Sequence, residues 1–130
     1  MSRLQITVGL VPSRRMEHTE WCEQLRVDNI AMLERQDVVR LVAPAVSTDG
    51  GLAPGTGATP HGTVNTLNEA EAVVRFFRHQ GVEALVICPL DFGDERSAAI
   101  VAERLGVPVF IYATKEPPAL ADASLARVSD

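Results

Sequence analysis

Apolar and polar positions along the chain alternate between two periods. Leu4 to Val11 is a run rich in β-branched residues that meets Pro12, the composition of a buried strand. From about Glu17 to Arg35 the apolar residues Trp21, Cys22, Leu25, Ile30 and Leu33 return at helical spacing. Asp37 to Ala43 is a second strand pattern, stopped by Pro44, and Ser47 to Val64 is a Gly-, Pro-, Thr- and Ser-rich loop with no period. Thr66-Leu67-Asn68-Glu69 then has the form of a capping box. In it the Thr66 hydroxyl accepts from the Glu69 amide while Glu69 reaches back to the Thr66 amide. Ala70, Val73, Val74 and Phe77 make one face of the helix it opens, and Gly81 ends it. Val82 to Leu90 is a nearly continuous apolar strand, Gly93-Asp94-Glu95 opens a helix, and its face Ala98, Val101, Ala102 and Leu105 runs to Gly106. Val107 to Ala113 is a fourth strand, and the tail after Lys115 has little pattern.

Strands that alternate with helices and are apolar on both faces form βαβ units around a parallel sheet. Right-handed crossovers then favour an open α/β sheet in the flavodoxin-like order 2-1-3-4, with helices on both faces. In that order the first and third strands are neighbours, and ligands bind beyond their carboxyl ends.

Composition narrows the function classes. The 130 residues are 46% hydrophobic and 22% charged, ordinary for a single folded domain that buries about two-thirds of its unfolded surface. The net charge of −5 lacks the clustered basic face of a nucleic-acid binder. The longest apolar run, Ala84 to Leu90, is far too short for a membrane span, and the N-terminus enters a strand without a leader pattern. Cys22 and Cys88 have no metal spacing and read as reduced thiols of a cytoplasmic protein, Cys88 as an inert core residue.

The carboxyl-edge crevice selects its own candidates. Arg14 and Arg15 follow the first strand, and Asp91, Phe92, Asp94 and Glu95 follow the third. Guanidinium donors and carboxylate acceptors suit a ligand with many hydroxyls; the alternative is that these groups pair with one another at the surface. Gly57 to Gly62 has the glycine spacing of a phosphate-binding loop without its lysine. Gly55-Thr56-Gly57 begins a dinucleotide pattern that Pro60 breaks, so residues 47–64 read as a mobile surface loop. His18, His61 and His79 lack metal-ligand spacing, and no nucleophile–base pattern is present.

Two stretches carry a family resemblance. Leu85-Val86-Ile87-Cys88-Pro89-Leu90-Asp91-Phe92-Gly93-Asp94-Glu95-Arg96, with Leu105 to Val109 and Ala113-Thr114-Lys115-Glu116-Pro117, resembles the N-terminal domain of the L-fucose/L-arabinose isomerase family. Val8-Gly9-Leu10 followed by Arg14-Arg15-Met16 resembles that family's opening strand and basic loop. Better-known members carry a tryptophan near the end of the third strand, where Cys88-Pro89 stand here, which leaves Phe92 as the nearby aromatic.

The resemblance implies a cytoplasmic, oligomeric aldose–ketose isomerase that works through an enediol on a bound Mn2+. The family's metal ligands lie in later domains, so this chain looks like the N-terminal part of a longer protein and binds no metal itself. By the same resemblance Arg14 or Arg15 and the Asp91–Glu95 loop touch the sugar across a subunit interface, while the isolated chain is catalytically silent. The partners implied are the sugar substrate, further copies of the chain and the missing C-terminal domains. A stand-alone sugar or phosphosugar binding domain is the alternative, and a purely structural oligomerisation module the third. An exposed apolar patch near Met16 and Trp21 would serve association, unless Trp21 packs into the core.

Overall fold

In the computed structural model, which describes residues 4–15, 17–53, 55–90 and 95–111, each apolar run becomes a strand and each 3.6-residue pattern a helix. The order is β1 (Ile6–Ser13), α1 (Glu20–Glu34), β2 (Val39–Val42), α2 (Leu67–Gln80), β3 (Ala84–Pro89), α3 (Glu95–Leu105) and β4 (Val109–Ile111). The four strands form one parallel sheet in the order β2-β1-β3-β4. The flavodoxin-like order expected from the sequence is therefore the order found.

Local signals explain the helix ends. Thr66 caps α2 by accepting from the Glu69 amide at 3.1 Å, and Gly81 closes it in the left-handed conformation at φ 71°. The Glu69 carboxylate differs from the expected box: it accepts from the Asn65 amide at 2.8 Å, one residue before the cap. Thr19 caps α1 through the Cys22 amide at 3.1 Å, so this helix starts at Glu20 rather than near Glu17.

Pro12 does not stop β1, which runs on to Ser13. The reason lies in the neighbours. The β1–β2 register ends at Gly9↔Val42, whereas the β1–β3 register continues through Pro12↔Cys88 and Ser13↔Pro89. The Pro12 carbonyl points to the β2 side, where it accepts from the Val64 amide at 2.7 Å. A missing N–H on that side, beyond the end of β2, breaks no strand ladder.

The core lies on the two faces of the sheet. One cluster joins Val11, Leu85 and Ile87 to Val73, Val74 and Phe77 of α2 and Ala98 and Val101 of α3. The other joins Leu10, Cys88 and Leu90 to Cys22, Leu25, Ile30 and Leu33 of α1. Both cysteines are buried and free, Cys88 in the core as expected. Edge strand β4 leaves Phe110 64% and Ile111 68% exposed. No described helix is long and apolar enough to cross a membrane.

Candidate functional site

The parallel β1–β3 pairing brings the two carboxyl ends together. Ser13 and Pro89 are register partners, and the Leu90 amide donates to the Ser13 carbonyl at 2.9 Å. Arg14 and Arg15 therefore leave the sheet beside the segment that leaves β3. Asp91, Phe92 and Asp94 lie outside the described residues, as does the side chain of Glu95.

The two arginines, equivalent in the sequence, separate in the structure. Arg15 is exposed, whereas Arg14 is 7% exposed and donates from Nε to the Thr63 hydroxyl at 3.2 Å. Thr63 is itself buried, as are Ser13 and Thr59.

Of residues 47–64, expected at the surface, residues 48–50 and 55–56 are exposed, whereas 57–59 and 62–64 are buried. The Val64 amide donates to the Pro12 carbonyl and the Arg14 amide to the Val64 carbonyl, so the end of this segment pairs with β1 where β2 has stopped. Bridges Val46↔Thr59 and Ala53↔Ala58 give it internal structure. Gly57, at φ 75°, lies so close to Phe76 of α2 that a Cβ there would come within 2.2 Å of the ring. A Cβ on Gly62 would stand 3.0 Å from the Arg26 guanidinium. The glycines thus serve close approach rather than phosphate binding, a use that periodicity does not reveal.

This segment also brings His61 to the approach to α1. The His18 and His61 rings stack with centroids 4.2 Å apart and planes 2° from parallel. His18 Nε2 lies 3.6 Å from a Glu23 oxygen, and Arg26 holds Glu23 through two bonds of 3.1 and 2.6 Å. Burial, followed by the charge His61 would carry, lowers the His18 pKa below 6.5; Glu23 opposes the shift and Arg14 and Arg26 add to it. Arg26, through its hydrogen bond, likewise holds Glu23 below the usual carboxylate range. His18 Nδ1 and Trp21 Nε1 are buried with no hydrogen-bond partner among the described residues. Trp21 is half-buried, and Met16, the other half of the expected apolar patch, lies outside the described residues.

The sequence reading missed Thr63 beside Arg14 and the stack of His18 on His61, contacts without a spacing signal because they form only when the end of the loop crosses the carboxyl edge. Glu23 and Arg26 pair one turn apart on α1, an i,i+3 spacing the sequence does carry. The assembled groups can donate to and accept from hydroxyls through a fixed guanidinium, a carboxylate and two imidazoles. Among the described residues no group of three or more His, Cys, Asp or Glu could hold a metal ion.

Comparison with known proteins gives one match. A family model described as the fucose/sulfoquinovose isomerase N-terminal domain matches residues 9–127. No curated protein and no solved structure matches the chain.

Proposed function

The chain belongs to the fucose/sulfoquinovose isomerase N-terminal domain family, and from that premise we propose that it is the substrate-closing domain of an aldose–ketose isomerase. In this reading Arg14 presents its guanidinium to the sugar hydroxyls at the carboxyl edge of β1, with Arg15 and the Asp91–Glu95 loop completing the contact. The observation that carries it is the setting of Arg14, 7% exposed and fixed by Thr63 directly beside the end of β3. A guanidinium held at the carboxyl edge of the sheet donates to hydroxyl oxygens, which a polyol offers in number.

The described residues do not fit a metal. The divalent ion of the isomerisation, Mn2+ by the resemblance, rests in this proposal on residues outside this domain. The protein works as a cytoplasmic homo-oligomer in which this domain covers the active site of a neighbouring subunit. What this chain's own residues do is bind and orient: Arg14 donates to the sugar, and the folded loop walls the crevice on the β2 side.

The test is Arg14→Ala in the complete protein, assayed on L-fucose. A charged hydrogen bond contributes about 1.5–3 kcal/mol, so kcat/KM should fall by about ten- to a hundredfold with metal binding preserved. Unchanged kcat/KM in the Arg14→Ala/Arg15→Ala double variant would remove the sugar-contact role. Sugar binding without turnover in the complete protein would point to a non-catalytic binding domain instead.

A further inference from the structure

Arg14 can serve a ligand only if its guanidinium is held, and what holds it comes from the segment least patterned in the sequence. We propose that Thr63, His18 and His61 are positioning residues for Arg14: Thr63 by accepting from its Nε, and the stacked imidazoles by clasping the loop that carries Thr63 to the start of α1. The clasp closes while the stacked pair is uncharged and opens when positive charge enters the stack. Its effect on sugar binding rests on the function proposed above; the clasp itself does not.

Three observations converge. First, Arg14 Nε donates to Thr63 Oγ1 at 3.2 Å, and Thr63 is 1% exposed. Second, Thr63 sits between two anchors of its loop. On one side Val64 is paired with β1 through the Pro12 carbonyl and the Arg14 amide; on the other, His61 is stacked on His18 at 4.2 Å. His18 in turn adjoins Thr19, the cap of the fifteen-residue helix α1, so the stack fastens the loop to a rigid element. Third, the surroundings of the stack tolerate little positive charge. Facing His18 are Glu23 and Arg26 from α1, Arg14 from the end of β1, and His61 from the loop. Among the described residues Glu23 is the carboxylate that faces His18, and Arg26 already engages it. Two imidazoliums stacked face to face repel, which drives the loop away from α1.

The experiment follows the Arg14 Nε–Hε signal in 15N-labelled protein as the pH falls from about 8 to about 5, the range in which histidines titrate. A protected Arg14 signal at the upper end that loses protection as the pH falls is the expected result. Thr63→Val should remove the protection at every pH and Thr63→Ser restore it. His61→Phe keeps a ring on His18 but no proton to gain, so its Arg14 signal should be indifferent to pH. L-Fucose affinity should weaken about tenfold on acidification in the unmodified protein, the size of one lost charged hydrogen bond, and far less in His61→Phe. An Arg14 signal unmoved by pH in the unmodified protein and by Thr63→Val would overturn the clasp. If the signal moves as expected but L-fucose affinity does not follow, the clasp is supported and the sugar reading of Arg14 fails.

Discussion

On the α2/α3 face of the sheet, Val73, Val74, Phe77, Ala98 and Val101 meet Val11, Leu85 and Ile87 in an unbroken apolar layer. On the α1 face, the residues α1 buries most deeply are Cys22, Arg26 and Asn29. The first helix surface is held by area removed from water, whereas the second adds directed bonds to a smaller apolar cluster. Asn29 Nδ2 donates to the Leu25 carbonyl at 2.7 Å and to Cys88 Sγ at 3.0 Å, while Arg26 grips Glu23 beneath the loop. The contrast locates stability on the first face and the candidate site on the second. A polar stripe under a helix contributes little net burial, so its residues are free to serve orientation instead.

The largest effect should come from opening the apolar face. Phe77 is fully buried, and Phe77→Ala should destabilise the fold by about 3–5 kcal/mol in urea unfolding. A cost below that of any α1-face substitution would reverse the comparison. Next comes Gly9→Ala on β1, whose Cβ would stand 2.6 Å from the Phe77 ring; overpacking of this kind costs about 1–3 kcal/mol. Pairing it with Phe77→Leu should recover part of the loss, since both changes act on one contact.

Asn29→Ala tests the opposite face. It removes two hydrogen bonds but little apolar area, and should cost about 1 kcal/mol with the fold retained. A loss as large as that of Phe77→Ala would mean that the polar stripe carries the stability of the domain.

The smallest effect is a pH dependence confined to the α1 face. His18 has a folded pKa below 6.5, so as the pH falls below 6.5 the unfolded chain takes up a proton that the folded one resists, and stability declines until the folded value is reached. Glu23, depressed by Arg26, acts lower on the scale: its contribution is present above 4.5 and is lost as the pH falls through its folded value. Denaturation midpoints across this range should show the upper phase in the unmodified protein and lose it in His18→Phe.

Most of the fold was legible because its signals are local. The capping threonine at 66, the glycines at 81 and 106, and the apolar runs of β1 and β3 each act within a few residues. Where local reading faltered, a neighbour decided: Pro12 stays in β1 because β2 ends below it, and Glu69 reaches Asn65 rather than Thr66. The site was only half legible. Arg14 and Arg15 were selected by the rule that ligands meet strands at their carboxyl ends, but nothing in their adjacent positions told the buried one from the exposed one.

By itself the sequence determined the element types, the parallel sheet and its strand order, because hydrophobic period, caps and crossover handedness leave few alternatives, while the family was legible through the resemblance of particular stretches. Only the tertiary structure decided that the end of a glycine-rich stretch pairs with β1, that Thr63 meets Arg14, and that His18 and His61 stack. Those contacts join residues far apart in the chain through close backbone approach at Gly57 and Gly62. Contacts of that kind leave no period in the sequence, since their geometry is set by the surfaces that the loop crosses rather than by its own residues.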